Sequence, residues 1–169
     1  KEIEAEILAS TVALHKAIKK YNIKHTISFH SSIERAKFFQ SQEIIFRKSF
    51  KEYTNLETFH VSGDTPTAKR KKIINDFANA DNSLITNARC LTEGVDVPNI
   101  DCVLFSDPKN STVDIVQAVG RALRLSKNKE FGYVLVPILI DDENINTEEI
   151  KNKSFQSIVT ILRALASSD

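Results

Sequence analysis

Methionine and tryptophan are absent from the 169 residues, and glycine, proline and cysteine are scarce, at four, four and two copies. The chain opens on Lys1 and holds no methionine, so we read it as a piece of a longer protein. Cys90 and Cys102 are neither CxxC-spaced nor joined by a histidine at ligand spacing. Reduced thiols of a cytoplasmic protein are therefore expected, and no disulfide or metal site. No apolar run approaches the roughly 20 residues of a membrane span, and no signal-peptide pattern opens the chain, so no membrane partner is expected. Charge of one sign is also lacking. Lysine and arginine number 23 against 22 acidic residues, net +1, which excludes a wholly basic nucleic-acid-binding surface. Any such contact must come from a local patch or from peptide dipoles.

What is present has the texture of a single globular domain: 41% hydrophobic, 27% charged, and long enough to bury a substantial core. Apolar spacing predicts a helix over 3–20, with Ile3, Ile7, Leu8, Leu14 and Ile18 on one loose stripe. A strand follows over 25–30. Ser31 and Ser32 offer an N-cap for a helix over 33–52. A second strand over 56–61 ends in Ser62-Gly63-Asp64. Pro66 is placed at the first position of a helix over 67–78, where its missing N–H costs nothing, and Ile73, Ile74 and Phe77 point inward. Short strands over 83–86, 102–105 and 133–136 and a terminal amphipathic helix over 147–166 complete the pattern. Strands separated by helical stretches imply βαβ units and a mainly parallel sheet covered on both faces.

With so few glycines, their positions are informative. Gly63 follows a strand, where parallel sheets place ligand loops. Gly94 sits in a turn, Glu93-Gly94-Val95-Asp96, whose N–H groups and carboxylate suit a nucleotide, Asp96 being able to accept from a ribose hydroxyl. Gly120 lies mid-helix, at a cost of about 1 kcal/mol against alanine. Gly132 reads as a turn residue before the last strand. Around Gly120, the stretch 112–124 sets Ile115, Val116, Val119, Ala122 and Leu123 on one side of a helix and Gln117, Gly120, Arg121 and Arg124 on the other. Two arginines one turn apart suit bidentate contact with phosphate oxygens. They equally suit a solvated helix face.

Residues at strand carboxyl ends form a second candidate group. His30, Ser31 and Ser32 follow the first strand and Ser62-Gly63 the second, with hydroxyls and backbone N–H groups that contact phosphates without reading sequence. Thr86 and Asn87 end the third strand. A satisfied hydrogen-bonding residue at a strand end is the alternative for His30. The Lys69 to Lys72 cluster, Arg70 included, reads as a solvated helix face.

Gln117-x-x-Gly120-Arg121-x-x-Arg124 resembles motif VI of superfamily 2 helicases of the DEAD/DEAH-box type, the arginine-finger helix of their second RecA-like domain. Ala88-Arg-Cys-Leu-Thr-Glu-Gly-Val-Asp-Val-Pro98 resembles motif V at the usual distance upstream. The resemblance extends over most of the chain. In Asn87-Ala-Arg-Cys-Leu91, Val113-Asp-Ile-Val-Gln117 and Gly132-Tyr-Val-Leu-Val-Pro137 it is most similar to the helicase segment of single-chain type I restriction enzymes and their helicase relatives. Ala118 departs from the pattern, since many members carry arginine there.

The resemblance implies a three-layer α/β/α RecA-like domain spanning 1–169, with 1–22 a lead-in helix and 147–168 a terminal helix. It implies ATP with Mg²⁺ as cofactor. Neither GxxxxGK[ST] nor an aspartate-glutamate box is present, so the metal and most phosphate contacts fall to an upstream RecA-like domain of the same chain, and the isolated piece is expected to be inactive. Arg121, Arg124 and Gln117 take the catalytic positions and Glu93, Gly94, Asp96 and Gly120 approach the nucleotide. His30, Ser31, Ser62, Gly63, Thr86 and Asn87 follow the nucleic acid, DNA in preference to RNA. The implied function is that of an ATP-dependent helicase or DNA translocase within a restriction-modification protein. A non-catalytic α/β interaction domain would share the fold without needing the two arginines. A flavodoxin-like domain would need a phosphate loop after the first strand, where glycine is lacking.

Overall fold

The computed structural model describes residues 2–51, 55–88, 97, 100–106, 119–120, 132–136 and 163. Within them the elements run α1 (Glu2–Tyr21), β1 (His25–Phe29), α2 (Ile33–Ser49), β2 (Glu57–Ser62), α3 (Thr67–Asn79), β3 (Ser83–Ala88), β4 (Cys102–Phe105) and β5 (Tyr133–Leu135). The expected terminal helix lies outside the described residues except for Arg163, which is helical and exposed.

All described strand pairs are parallel, in the order β2-β3-β1-β4-β5. Alternation of side chains sends Ile27 and Phe29 of β1, Ile85 of β3 and Val103 and Phe105 of β4 to one face. There they join Ile74 and Phe77 of α3, Val97, Ile100 and Val119 in one apolar cluster. Leu84 and Leu104 face the other way and pack with Ile7 and Leu14 of α1 and Phe39 of α2. The molecule is therefore the expected three-layer α/β/α sandwich, and the segment carrying Val119 shares the α3 layer. The first strand leads to the β2 edge and the fourth to the β5 edge. Their carboxyl ends thus open the crevice where sheets of this kind bind ligands.

Helix ends follow local chemistry. Asn22 takes a left-handed φ of 53° after α1, and the Ile23 N–H reaches back to the Ile18 carbonyl at 3.3 Å, a Schellman stop. Ser32 caps α2, its Oγ accepting from the Arg35 N–H at 3.1 Å. That helix ends at Ser49, short of the expected residue 52, because the backbone turns extended at Phe50 and the chain must return to bury Leu56. Pro66 is the N-cap of α3 and not its first residue. The third strand runs two residues beyond its expected end, since Asn87 and Ala88 pair with Val61 and Ser62 of β2.

On α1 the expected stripe holds for Ile7, Leu14 and half-buried Ile18, whereas Leu8 points to solvent. Ser10, Thr11 and His15 are buried instead. His15 Nε2 lies 2.7 Å from Glu43 Oε1 of α2, a carboxylate with no exposed surface. Arg47 Nε stands 3.7 Å from the same oxygen, and its Nη1 donates to the Leu56 carbonyl. This buried chain ties α1 to α2 and α2 to the start of β2. Removing one member of such a cluster strands the others without solvent. We expect Glu43→Ala to lower unfolding free energy by about 3 kcal/mol in urea titrations, and a loss below about 1 kcal/mol would show the cluster to be dispensable.

Candidate nucleic-acid edge and nucleotide face

The strand-end residues singled out in the sequence do converge. Phe29, Asn87 and Val61 lie level across β1, β3 and β2, and the His30 N–H donates to the Asn87 carbonyl at 3.0 Å. His30, Ser31, Ser62, Gly63, Thr86 and Asn87 therefore share the carboxyl edge of the sheet. Their exposure differs. Ser31 and Ser32 are half-buried and Gly63 is exposed, while His30, Ser62, Thr86 and Asn87 are buried. The surface a ligand would meet consists of the first turn of α2 and the loop after β2, with the other four side chains beneath it.

Those buried side chains are split between the two faces. Thr86 lies level with His60 of β2 and Ser28 of β1 on the α2 side of the sheet. Asn87 lies level with Phe29 and Val61, both members of the α3-side cluster. On the α2 side, Ser28 Oγ and His30 Nε2 are 2.9 Å apart, and the His30 ring leans on Phe39 with centroids 5.0 Å apart. The His30 imidazole thus serves the strand end. Next in the row, His60 Nδ1 is 2.9 Å from Thr86 Oγ1, and that hydroxyl donates to the Phe59 carbonyl at 3.4 Å.

Two residues that sequence reasoning passed over shape this edge. Arg70, grouped with the lysines of a solvated face, turns inward: its Nη2 donates to the carbonyls of Thr65, Gly63 and Ser62 at 3.1, 3.3 and 3.4 Å. The same loop is closed by Thr65 N–H donating to the Ser62 carbonyl at 3.0 Å and by Ser62 N–H donating to Thr65 Oγ1 at 3.0 Å. A guanidinium gathering three loop carbonyls offsets their negative ends and fixes the loop against α3. Helical spacing alone hides this, because whether a basic residue is a clamp or a solvated charge depends on the loop it folds back on. His60 is the second. It falls inside a predicted strand and carries no motif.

Of the nucleotide-side candidates, Gln117, Arg121, Arg124, Glu93, Gly94 and Asp96 lie outside the described residues. Gly120 lies within them, helical and exposed, next to helical Val119, which is buried in the α3-side cluster. A Cβ added at Gly120 would meet open space, so nothing described packs against that glycine. Of the two described residues, Val119 is thus turned inward and Gly120 outward. Cys102 is a buried free thiol; Cys90 lies outside the described residues.

An α/β domain with this parallel sheet and strand order has the RecA-like fold of helicase C-terminal domains. The helicase conserved C-terminal domain family matches residues 9–126, and this chain is a member of it. It is 33% identical over 135 residues to a Saccharomyces cerevisiae protein named as the ATP-dependent helicase IRC3, covering 80% of this chain and 18% of that protein. It is 39% identical over 67 residues to a Schizosaccharomyces pombe protein named as the mitochondrial ATP-dependent helicase irc3, covering 40% of this chain and 11% of that one. Among solved structures, the ATP-dependent Type ISP restriction-modification enzyme LlaBIII bound to DNA superposes with a TM-score of 0.76 at 29% identity, over 97% of this chain and 12% of that chain. Domain 2 of the DEAD-box helicase Mss116p bound to an RNA duplex superposes with a TM-score of 0.63 at 21% identity, over 98% of this chain and 72% of that one, and shares the fold. The chain thus spans less than a fifth of the yeast IRC3 protein and of LlaBIII.

Burial holds the His60 imidazole below its ordinary pKa of 6.5, and the positive charge of Lys37 adds to this. A histidine with a depressed folded-state pKa binds its proton more readily in the unfolded chain. Its contribution is complete above about 6.5 and is lost as pH falls from there to the folded value. Between about pH 7 and about pH 5, the denaturation midpoint should therefore fall more steeply in the wild type than in His60→Asn. Equal slopes would mean that His60 titrates as a free imidazole.

Proposed function

We propose that this chain is the C-terminal motor domain of an ATP-dependent superfamily 2 helicase or DNA translocase, working within a restriction-modification protein. The observation that carries the reading is the helix of motif VI: Val119 seats it on the sheet and Gly120 faces out, while the sequence sets Gln117, Arg121 and Arg124 on the glycine side. A side-chain-free outward position fits close approach of a triphosphate. Bound between this domain and an upstream RecA-like domain that holds its Mg²⁺, ATP supplies a γ-phosphoryl group on which negative charge develops during transfer.

The chain's own residues do the rest. Arg121 and Arg124 offer forked donors to that charge and Gln117 orients their face. Glu93, Gly94 and Asp96 meet the sugar and phosphates with a carboxylate and open backbone. Ser31, Ser32 and the Ser62-Gly63 loop grip the phosphates of one nucleic-acid strand, with His30, Thr86 and Asn87 supporting them from below. Alternate closing and opening of the cleft moves this edge along the strand. Likeness to a Type ISP enzyme bound to DNA favours DNA. The test is Arg121→Lys and Arg124→Lys in the full-length protein. Lysine keeps the charge and loses the fork, so ATP turnover should fall on the order of a thousandfold while strand binding persists. Near-normal turnover in both variants would leave the arginines as a solvated face and favour the non-catalytic interaction domain.

A further inference from the structure

The row of polar side chains beneath α2 contains one half-buried member that no motif explains. His60 sits on the edge strand β2, level with Thr86. Since the Thr86 hydroxyl gives its proton to the Phe59 carbonyl, its lone pair receives the proton on His60 Nδ1 at 2.9 Å. This tautomer leaves Nε2 as a bare acceptor, buried and without a partner among the described residues. Leaving an imidazole nitrogen in that condition is unfavourable. A valine or isoleucine would suit a half-buried strand position better. The imidazole makes a specific tie between neighbouring strands instead. That tie lies two residues before Ser62-Gly63 on β2 and one before Asn87 on β3, just inside the carboxyl edge.

We propose that His60 is a positioning residue for nucleic-acid binding: its hydrogen bond to Thr86 fixes the carboxyl ends of β2 and β3 against each other, and so sets where the Ser62-Gly63 loop stands relative to the first turn of α2. This rests on the reading of the carboxyl edge as the strand-gripping surface. Arg70 holds the loop to its own helix from one side, and the His60–Thr86 pair holds the strand that feeds it. Thr86, fully buried, then acts through His60 and not by touching the ligand. Lys37, from α2, is the charged neighbour whose field bears on the ring, and it favours the neutral imidazole that the bond uses.

The experiment measures ATP turnover by the full-length protein as a function of single-stranded oligodeoxythymidylate concentration. His60→Leu and Thr86→Val each delete one end of the bond with little change of bulk. Each should raise the half-saturating oligonucleotide concentration about tenfold, the worth of one buried hydrogen bond, and leave the maximal rate within about twofold. The double variant should be no worse than either single one, because both remove the same interaction. His60→Asn keeps an amide at the level of Nδ1 and should restore the wild-type half-saturation. Unchanged half-saturation in both single variants, additive defects, or a fall confined to the maximal rate would overturn the positioning role. If His60→Leu fails to fold, Thr86→Val and His60→Asn carry the same comparison. A wild-type protein whose turnover ignores the oligonucleotide would instead overturn the functional reading beneath it.

Discussion

Parallel pairing is the constraint from which the rest of the arrangement follows. Because every described strand points the same way, the loops leaving the carboxyl ends of β1, β2 and β3 gather on one edge, and the crossovers must be covered by helices on both faces. The chain visits the β2 side first and the β5 side second, so the crevice opens beside β1. The Ser31-Ser32 turn, the Ser62-Gly63 loop and the end of β3 arrive together. On the α3 side the same sheet offers the apolar bed on which Val119 rests. One sheet thus brings the strand-end loops to a single edge and beds Val119 on its α3 side.

Polar groups do the fine positioning. The His15, Glu43 and Arg47 cluster locks α1 onto α2 and α2 onto the start of β2, so the helix that presents Ser31 and Ser32 cannot slide independently of the edge strand. Arg70 gathers the carbonyls of the loop after β2. The Ser28, His30, Thr86 and His60 row levels the strand ends from within. Each cluster gives up solvation and returns a fixed geometry, the first at the amino end of β2 and the other two at the carboxyl edge. Preorganised backbone donors are worth more than mobile ones at such an edge.

The order of the described strands and helices was legible in the sequence, because apolar alternation and helical spacing report directly on a two-sided parallel sheet. The family was legible too, from Gln117 to Arg124 and from Ala88 to Pro98. Three things were not. The length of β3 depends on pairing of Asn87 and Ala88 with β2, which is a tertiary fact. The burial of Ser10, Thr11 and His15 on α1 reverses a stripe that included Leu8; His15 meets Glu43 of α2 and Ser10 donates to the Glu6 carbonyl of its own helix. Arg70 looks like its lysine neighbours until the loop it clamps is seen. In each case the deciding partner is distant in sequence or hidden in a turn, and no local pattern encodes it.

On the proposed function, this domain supplies one half of an ATP site. The most direct test is nucleic-acid-stimulated ATP turnover compared among the full-length protein, the full-length protein lacking residues 1–169, and the isolated domain. The account predicts stimulated turnover in the first alone. Turnover by the isolated domain, or full stimulation in the protein lacking it, would contradict the account.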